Sequence, residues 1–189
     1  LFPLVDMAYQ GFASGDPTRD AYGLRLLAQE VEALALCQSF AKSFGLYGQR
    51  TGAVHFLCAD AGEAERVLSQ LKILIRPMYS NPPLFGARVV DTVLGDGELT
   101  AQWRDDLKAM ADRMNGVRGE LVQQLAAAGS VRDWSHINNQ IGMMAYTGLS
   151  KEQVAKLKAE FHVYMTDDGE TFRPVLTLPS SSQGQYSFM

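Results

Sequence analysis

Two short apolar runs, Ala33 to Cys37 and Thr51 to Leu57, flank a loop that extends from Ser39 to Arg50. Each run reads as a buried strand. A chain patterned in this way has to place the loop on irregular backbone at the end of a strand, where α/β sheets carry their chemistry. Lys42 is the one lysine of that loop, and its close neighbours are apolar or small. Phe40, Phe44 and Tyr47 surround it, and Arg50 is the nearby cation. A lone loop lysine is ordinarily a solvated residue. The aromatic surroundings argue for partial burial, which together with a neighbouring positive charge turns an amine into a usable nucleophile. Ser39 and Arg50 add a hydroxyl and a guanidinium that could both reach an anion placed near Lys42.

The remaining composition narrows the classes of function. Hydrophobic residues make up 47% of the chain, enough for a sizeable core. Seventeen basic and twenty-one acidic residues leave a net charge of −4 with no basic stripe, which argues against a nucleic-acid partner. No apolar run approaches the length of a membrane span. The two cysteines, Cys37 and Cys58, sit in apolar strand-like runs without metal-ligand spacing, so both are expected to be buried, reduced thiols. His55, His136 and His162 are scattered and read as structural.

Along the chain, Leu1 to Met7 is β-like, and Gly11 to Thr18 is a turn-rich loop. Asp20 to Leu34 is helical in composition. Asp60 is placed to cap a helix from about Ala61 to Leu74, after which Pro77, Pro82 and Pro83 are expected to break the chain. A short helix is predicted from Leu84 to Leu94. A long amphipathic one should run from Glu98 to Ala128, with Trp103, Leu107, Met110, Met114, Val117, Leu121 and Leu125 forming a packing stripe. Strands are predicted at Ile141 to Thr147 and Val163 to Met165. A capping box at Ser150 to Gln153 should open a helix ending near Phe161, and Asp167-Asp168-Gly169 reads as a turn.

Three stretches carry a resemblance to a known family. The lysine loop from Ser39 to Arg50 resembles the cofactor-lysine segment of the aspartate aminotransferases, fold-type-I enzymes of pyridoxal phosphate. The segments from Leu4 to Gly15 and from Ser69 to Pro83 resemble two further signatures of the same family. Ala41 and the stretch from Leu71 to Pro83 are most similar to its mitochondrial branch. The resemblance runs from about Leu1 to Gly169. It implies an α/β fold: part of a large cofactor-binding domain with a mainly parallel sheet over residues 1–105, then a smaller α/β domain over 106–169. The strand beginning at Thr51 is expected to lie antiparallel to its neighbour.

The resemblance also implies roles. Lys42 is similar to the lysine that joins the cofactor covalently and moves the substrate proton. Asp6 matches the aspartate that pairs with the ring nitrogen of pyridoxal 5'-phosphate, and Tyr9 the tyrosine that hydrogen-bonds the ring oxygen. Ser39 and Arg50 match phosphate ligands. Arg76 resembles the arginine that reaches across a homodimer interface to clamp the substrate's side-chain carboxylate, which makes the active sites shared between subunits. Gly45 and Gly48 are expected to let the loop bend. The implied reaction is transamination between aspartate and 2-oxoglutarate, giving oxaloacetate and glutamate, with amino and 2-oxo acids as the partners. The mitochondrial matrix is the implied compartment, with the cytoplasm as alternative.

Two departures qualify those expectations. The chain begins inside a motif, and the resemblance implies that roughly half of the family's chain would lie upstream of Leu1. Glu170 stands where the family has the arginine for the substrate α-carboxylate, and residues 170–189 read as a divergent, poorly ordered tail. A non-catalytic truncated fragment that keeps only dimerisation surfaces, or another fold-type-I activity, therefore stand as alternatives.

Overall fold

The computed structural model describes residues 1–171. Strand β1 (Leu4–Met7) leads into helices α1 (Pro17–Asp20) and α2 (Tyr22–Glu30), strand β2 (Leu34–Ser39), a single 3-10 turn at Tyr47–Gln49 and strand β3 (Gly52–Leu57). Helices α3 (Ala61–Tyr79), α4 (Phe85–Gly95) and α5 (Gly97–Ala127) follow, then α6 (Ser135–Asn138), β4 (Ala145–Tyr146), α7 (Lys151–Phe161) and β5 (Glu170–Thr171). The chain divides into two units, residues 1–113 and residues from 114 onward, with the boundary inside α5.

The first unit is built on a three-stranded sheet in the order β1-β2-β3. β1 and β2 are parallel, from Leu4 opposite Ala35 to Met7 opposite Gln38. β3 runs antiparallel to β2, from Leu34 opposite Leu57 to Ser39 opposite Gly52, as expected for that strand. The apolar run in β2 makes it the buried strand, with Leu34, Ala35 and Leu36 all in the core. Phe12, Ala41, Val90, Leu107 and Ala111 complete that core. Gly11 adopts φ 94°, and the Leu107 side chain occupies the space where a β-carbon would sit, so this turn admits only glycine.

Local chemistry sets the helix starts. The Asp16 carboxylate accepts from Thr18 N, and Pro17 opens α1. Asp60 caps α3 by accepting from Glu63 N at 2.8 Å, while the Glu63 carboxylate reaches back to Ala59 N at 2.7 Å. Contrary to the sequence reading, α3 does not stop at Leu74. It continues past Pro77 to Tyr79 and ends at Ser80 with φ 63°. Proline's fixed φ is compatible with a helix, and so near the end it removes only one backbone bond. The Ser150–Gln153 capping box forms as predicted and starts α7.

In the second unit, Ile137, Ala145 and Val154 are buried. The predicted strand from Ile141 to Thr147 contracts to Ala145–Tyr146, because the preceding backbone is otherwise engaged. Arg118, only 3% exposed, donates to the carbonyls of Gln140, Gly142 and Met144, at 3.4, 2.5 and 2.9 Å. Gln140 bonds both backbone groups of Tyr146. Gly142 turns at φ 84°. Carbonyls bent toward a cation cannot form a ladder. The expected strand at Val163 to Met165 is absent; Val163 N instead bonds Leu157 O at the end of α7, after His162 turns left-handed. β4 pairs antiparallel with β5, so Glu170 and Thr171 are strand residues. The remaining tail, 172–189, lies outside the described residues.

The cysteine expectation is also corrected. Both are free, but Cys37 is exposed and Cys58 half-buried. Cys37 sits in the ladder between Asp6 and Val54, which are exposed as well. His55 and His136 have local partners, Gln38 Oε1 and Thr147 O. Among the described residues there is no cluster able to hold a metal ion, and no helix long and apolar enough to cross a membrane.

Candidate active site

The carboxyl ends of the parallel strands β1 and β2 lie side by side, and the antiparallel β3 starts at the same edge. That topology gathers Asp6 on β1, Tyr9 just after it, Ser39 at the end of β2, Lys42 three residues on, and Arg50 just before β3. Ligand sites of open α/β sheets form at this edge.

The lysine loop is held by its own backbone. Phe40 N donates to Thr51 O at 3.1 Å and closes the loop's base. Phe44 N donates to Phe40 O, Gly45 N to Lys42 O, and Ala41 N to Ser39 Oγ. Gly45 has φ 66°, as the bend requires, whereas Gly48 lies in the 3-10 turn without a positive φ. The loop is anchored on α5. Phe44 stacks on Trp103 with centroids 4.7 Å apart, and Trp103 Nε1 donates to Ser43 O at 2.7 Å. Ala41 and Ser43 are buried on either side of a half-buried Lys42.

The Lys42 ammonium lies 5.1 Å from the centroid of the Tyr9 ring and 5.9 Å from that of Tyr47. Among the described residues no carboxylate forms an ion pair with it. Burial, and then the nearby Tyr47 phenol, push the Tyr9 hydroxyl above its ordinary pKa, so it stays protonated at neutral pH. Tyr9 is placed by a loop that Asp20 organises. That carboxylate accepts from Gly11 N, Ala13 N and Ser14 N at 2.8, 3.0 and 3.1 Å. Gln10 next to it bonds Pro17 O and Gln38, and Gln38 bonds His55, so a polar chain ties the Tyr9 loop across the sheet.

Of the residues expected to act, Lys42 and Tyr9 meet directly. Asp6, Ser39 and Arg50 share the sheet edge with them. Arg50 is exposed, adopts φ 51° and donates one nitrogen to Tyr47 O at 3.1 Å. Arg76 stands apart: it is exposed near the end of α3 and donates to Ser80 Oγ at 2.7 Å. The site residues missed by sequence reasoning are Asp20, Gln10, Gln38 and the anchoring role of Trp103. Only Trp103 gave a signal, as part of the α5 packing stripe. A cleft of about 420 Å³ between β3 and α4 flanks the loop at Phe40 but does not include Lys42.

Comparison with known proteins agrees with this geometry. A family model described as "Aminotransferase class I and II" matches residues 1–174, beyond the Gly169 limit of the sequence resemblance. The mitochondrial aspartate aminotransferase of Dictyostelium discoideum is 55% identical over 89% of this chain, and that of Xenopus tropicalis 54% over 89%. The chain spans 39% and 40% of the length of those relatives. Among solved structures, a mitochondrial aspartate aminotransferase from Trypanosoma brucei is 56% identical. It superposes with a TM-score of 0.87 over 90% of this chain and 45% of its own. An aromatic-amino-acid aminotransferase from Burkholderia pseudomallei, covalently bound to pyridoxal phosphate, is 45% identical with a TM-score of 0.88, covering 90% of this chain and 43% of its own. By the family match, and by the fold of the lysine loop on its sheet, this chain belongs to the class I and II aminotransferases.

Proposed function

We propose that this chain carries the cofactor-lysine part of a pyridoxal-phosphate-dependent transaminase acting on aspartate and 2-oxoglutarate. The observation that carries the reading is Lys42, presented at the carboxyl edge of the sheet with the Tyr9 ring 5.1 Å from its ammonium. The residues present fit the cofactor's needs: an amine, a carboxylate, a protonated phenol, a hydroxyl and a guanidinium converge on one edge. Bound pyridoxal phosphate supplies an electron sink for the substrate carbon. Lys42 Nζ would be the group that joins it and exchanges a proton with substrate. Asp6 would balance the positive charge on the ring nitrogen. Tyr9, kept protonated, would offer a hydrogen bond to the ring oxygen. Ser39 and Arg50 would hold the phosphate, the guanidinium with a planar fork that a lysine lacks.

Arg76 fits a different task. Its distance from the Lys42 cluster in sequence and its exposed position suit a side chain that clamps a substrate carboxylate in a second subunit of a homodimer. The large domain in this reading comprises residues 1–105 and the small one 106–169, in a mitochondrial protein. The names of the relatives support that compartment.

The test is incubation of the purified chain with pyridoxal phosphate, borohydride reduction and peptide mapping. The label is expected on Lys42; label on Lys72 or Lys151 with Lys42 untouched overturns the reading. A second reading, binding surfaces without turnover, is favoured by Glu170, an acidic residue at the position where the family resemblance expects the arginine for the substrate α-carboxylate. Losing a charge-assisted pair costs about 1.5–3 kcal/mol, or about ten- to a hundredfold in rate. A coupled aspartate–2-oxoglutarate assay should accordingly show little turnover, and more after Glu170→Arg.

A further inference from the structure

We propose that Tyr47 is a positioning residue for Lys42: with Tyr9 it forms a two-ring seat that holds the free lysine ammonium at the sheet edge until the cofactor takes it up. The proposal rests on the cofactor reading above for its purpose, but the seat itself stands on geometry. The ammonium lies within cation–π reach of both rings, 5.1 Å from Tyr9 and 5.9 Å from Tyr47. The two rings come from separate segments, one following β1 and the other in the 3-10 turn after the lysine. The other lysines are all exposed; Lys108 pairs with Asp112, Lys151 with Asp167 and Lys156 with Glu160, while Lys72 and Lys158 form no ion pair among the described residues. Lys42 is instead half-buried against aromatic faces, with no carboxylate pairing it among the described residues.

That difference suits an amine that must later act as a nucleophile. A carboxylate partner would hold the proton on the amine and would stay behind as a buried charge once the amine was consumed. A ring face attracts the cation through its quadrupole, yet tolerates the neutral amine and needs no counter-charge when it leaves. The electrostatic influence of the Tyr47 phenol on Tyr9 agrees with both rings facing the same small space. Tyr47 itself is about half exposed, at 48%, so its side chain is not a core element whose loss would unfold the loop. Its backbone carbonyl also accepts from Arg50. The turn that presents the ring is therefore the one that holds the guanidinium.

The experiment is NMR of the chain carrying lysine labelled at the ε-carbon, with the Lys42 signal assigned by its disappearance in Lys42→Arg. Ring currents should place the Lys42 ε-protons upfield of the other lysines. In Tyr47→Leu the signal should move back toward the common lysine position. In Tyr47→Phe, which keeps the ring and loses the hydroxyl, it should remain upfield. Tyr9→Leu should move it as well, as a check through the other ring. A Lys42 signal unmoved by Tyr47→Leu, or moved equally by Tyr47→Phe, overturns the proposal. Pyridoxal phosphate trapping with borohydride on the same variants supplies the second readout. The share of label on Lys42 should fall in Tyr47→Leu and be kept in Tyr47→Phe. If the original chain traps no label on Lys42 while the NMR shifts behave as stated, the cofactor reading fails and the seat stands. The opposite pattern removes the seat and leaves the cofactor reading.

Discussion

Tyr9 shows how much a single side chain depends on neighbours that its own motif does not contain. Its hydroxyl is held above the ordinary tyrosine pKa by burial first and the Tyr47 phenol second. For a group whose folded pKa is raised, the associated stability is present below the unfolded value and is lost as pH rises through the folded one. Phenolate absorbance should thus show one tyrosine ionising late, missing in Tyr9→Phe and brought to lower pH in Tyr47→Phe. An unchanged titration in Tyr47→Phe would show that the two phenols do not sense each other. That Lys42, Asp6 and Arg50 come to one sheet edge was legible in the sequence, because each sits in a dense motif next to an apolar run. The glutamine chain through Gln10 and Gln38 was not, because the partners of Gln38 are the loop residue Gln10 and the diagonal His55, not Met7 and Ala53 directly opposite it, and only the folded chain brings them together. The same limit explains the cysteines. An apolar run looks buried on both faces, but Cys37 falls at a rung whose neighbours Asp6 and Val54 are exposed.

Elements whose ends are set by local chemistry were the readable ones. The Asp60 cap and the Ser150 capping box are side-chain-to-backbone bonds over three residues, visible in the order of letters alone. The contraction of β4 was not readable, because the residue responsible lies more than twenty positions upstream. Arg118 is a buried cation whose charge is spread over three carbonyls, and burial holds its pKa below the usual arginine range. Lysine has the charge but not the planar fork. Arg118→Lys should cost on the order of 3 kcal/mol in urea unfolding, as buried bonds to a charged group are lost. Amide exchange should accelerate at residues 140–146 while α7 is spared. Unchanged exchange there would mean that the loop is held by Gln140 alone.

For the molecule as a whole, the apolar surface is the feature that bears most on behaviour in solution. Val54, Leu68, Ile73, Leu74 and Met78 are all more than half exposed, on β3 and α3, and no residue of α3 is buried. Large exposed apolar side chains in such number favour association. Sedimentation should show the 189-residue chain self-associating in a concentration-dependent way. Substituting Ile73 and Met78 by glutamate should reduce this without altering the circular dichroism spectrum. Association that persists unchanged in the double variant would assign it to another face. The α/β class and the strand directions of the first unit were legible through the family resemblance, which implied both. The extent of the exposed surface was not, since it depends on what covers a face and not on the face's own pattern.

The mixed direction of the sheet has a kinetic consequence. β2 meets β3 after the loop 40–51, but meets β1 only across the longer segment 8–33 with two helices in it. Each doubling of a loop adds about 0.6 kcal/mol of closure cost, and parallel pairing must also await its crossover. The antiparallel pair, and with it the lysine loop, should therefore assemble first during refolding. Gly52 offers the probe, because a β-carbon there would come within 2.7 Å of Gln38 O across that pair. Gly52→Ala should slow refolding in stopped flow, whereas Val5→Ala in β1 should chiefly speed unfolding. The reverse pattern would place the parallel pair first. In the expected order, the segment that presents Lys42 is shaped before the strand bearing Asp6 docks beside it, so Ser39 and Arg50 acquire their geometry ahead of the carboxylate at the same edge.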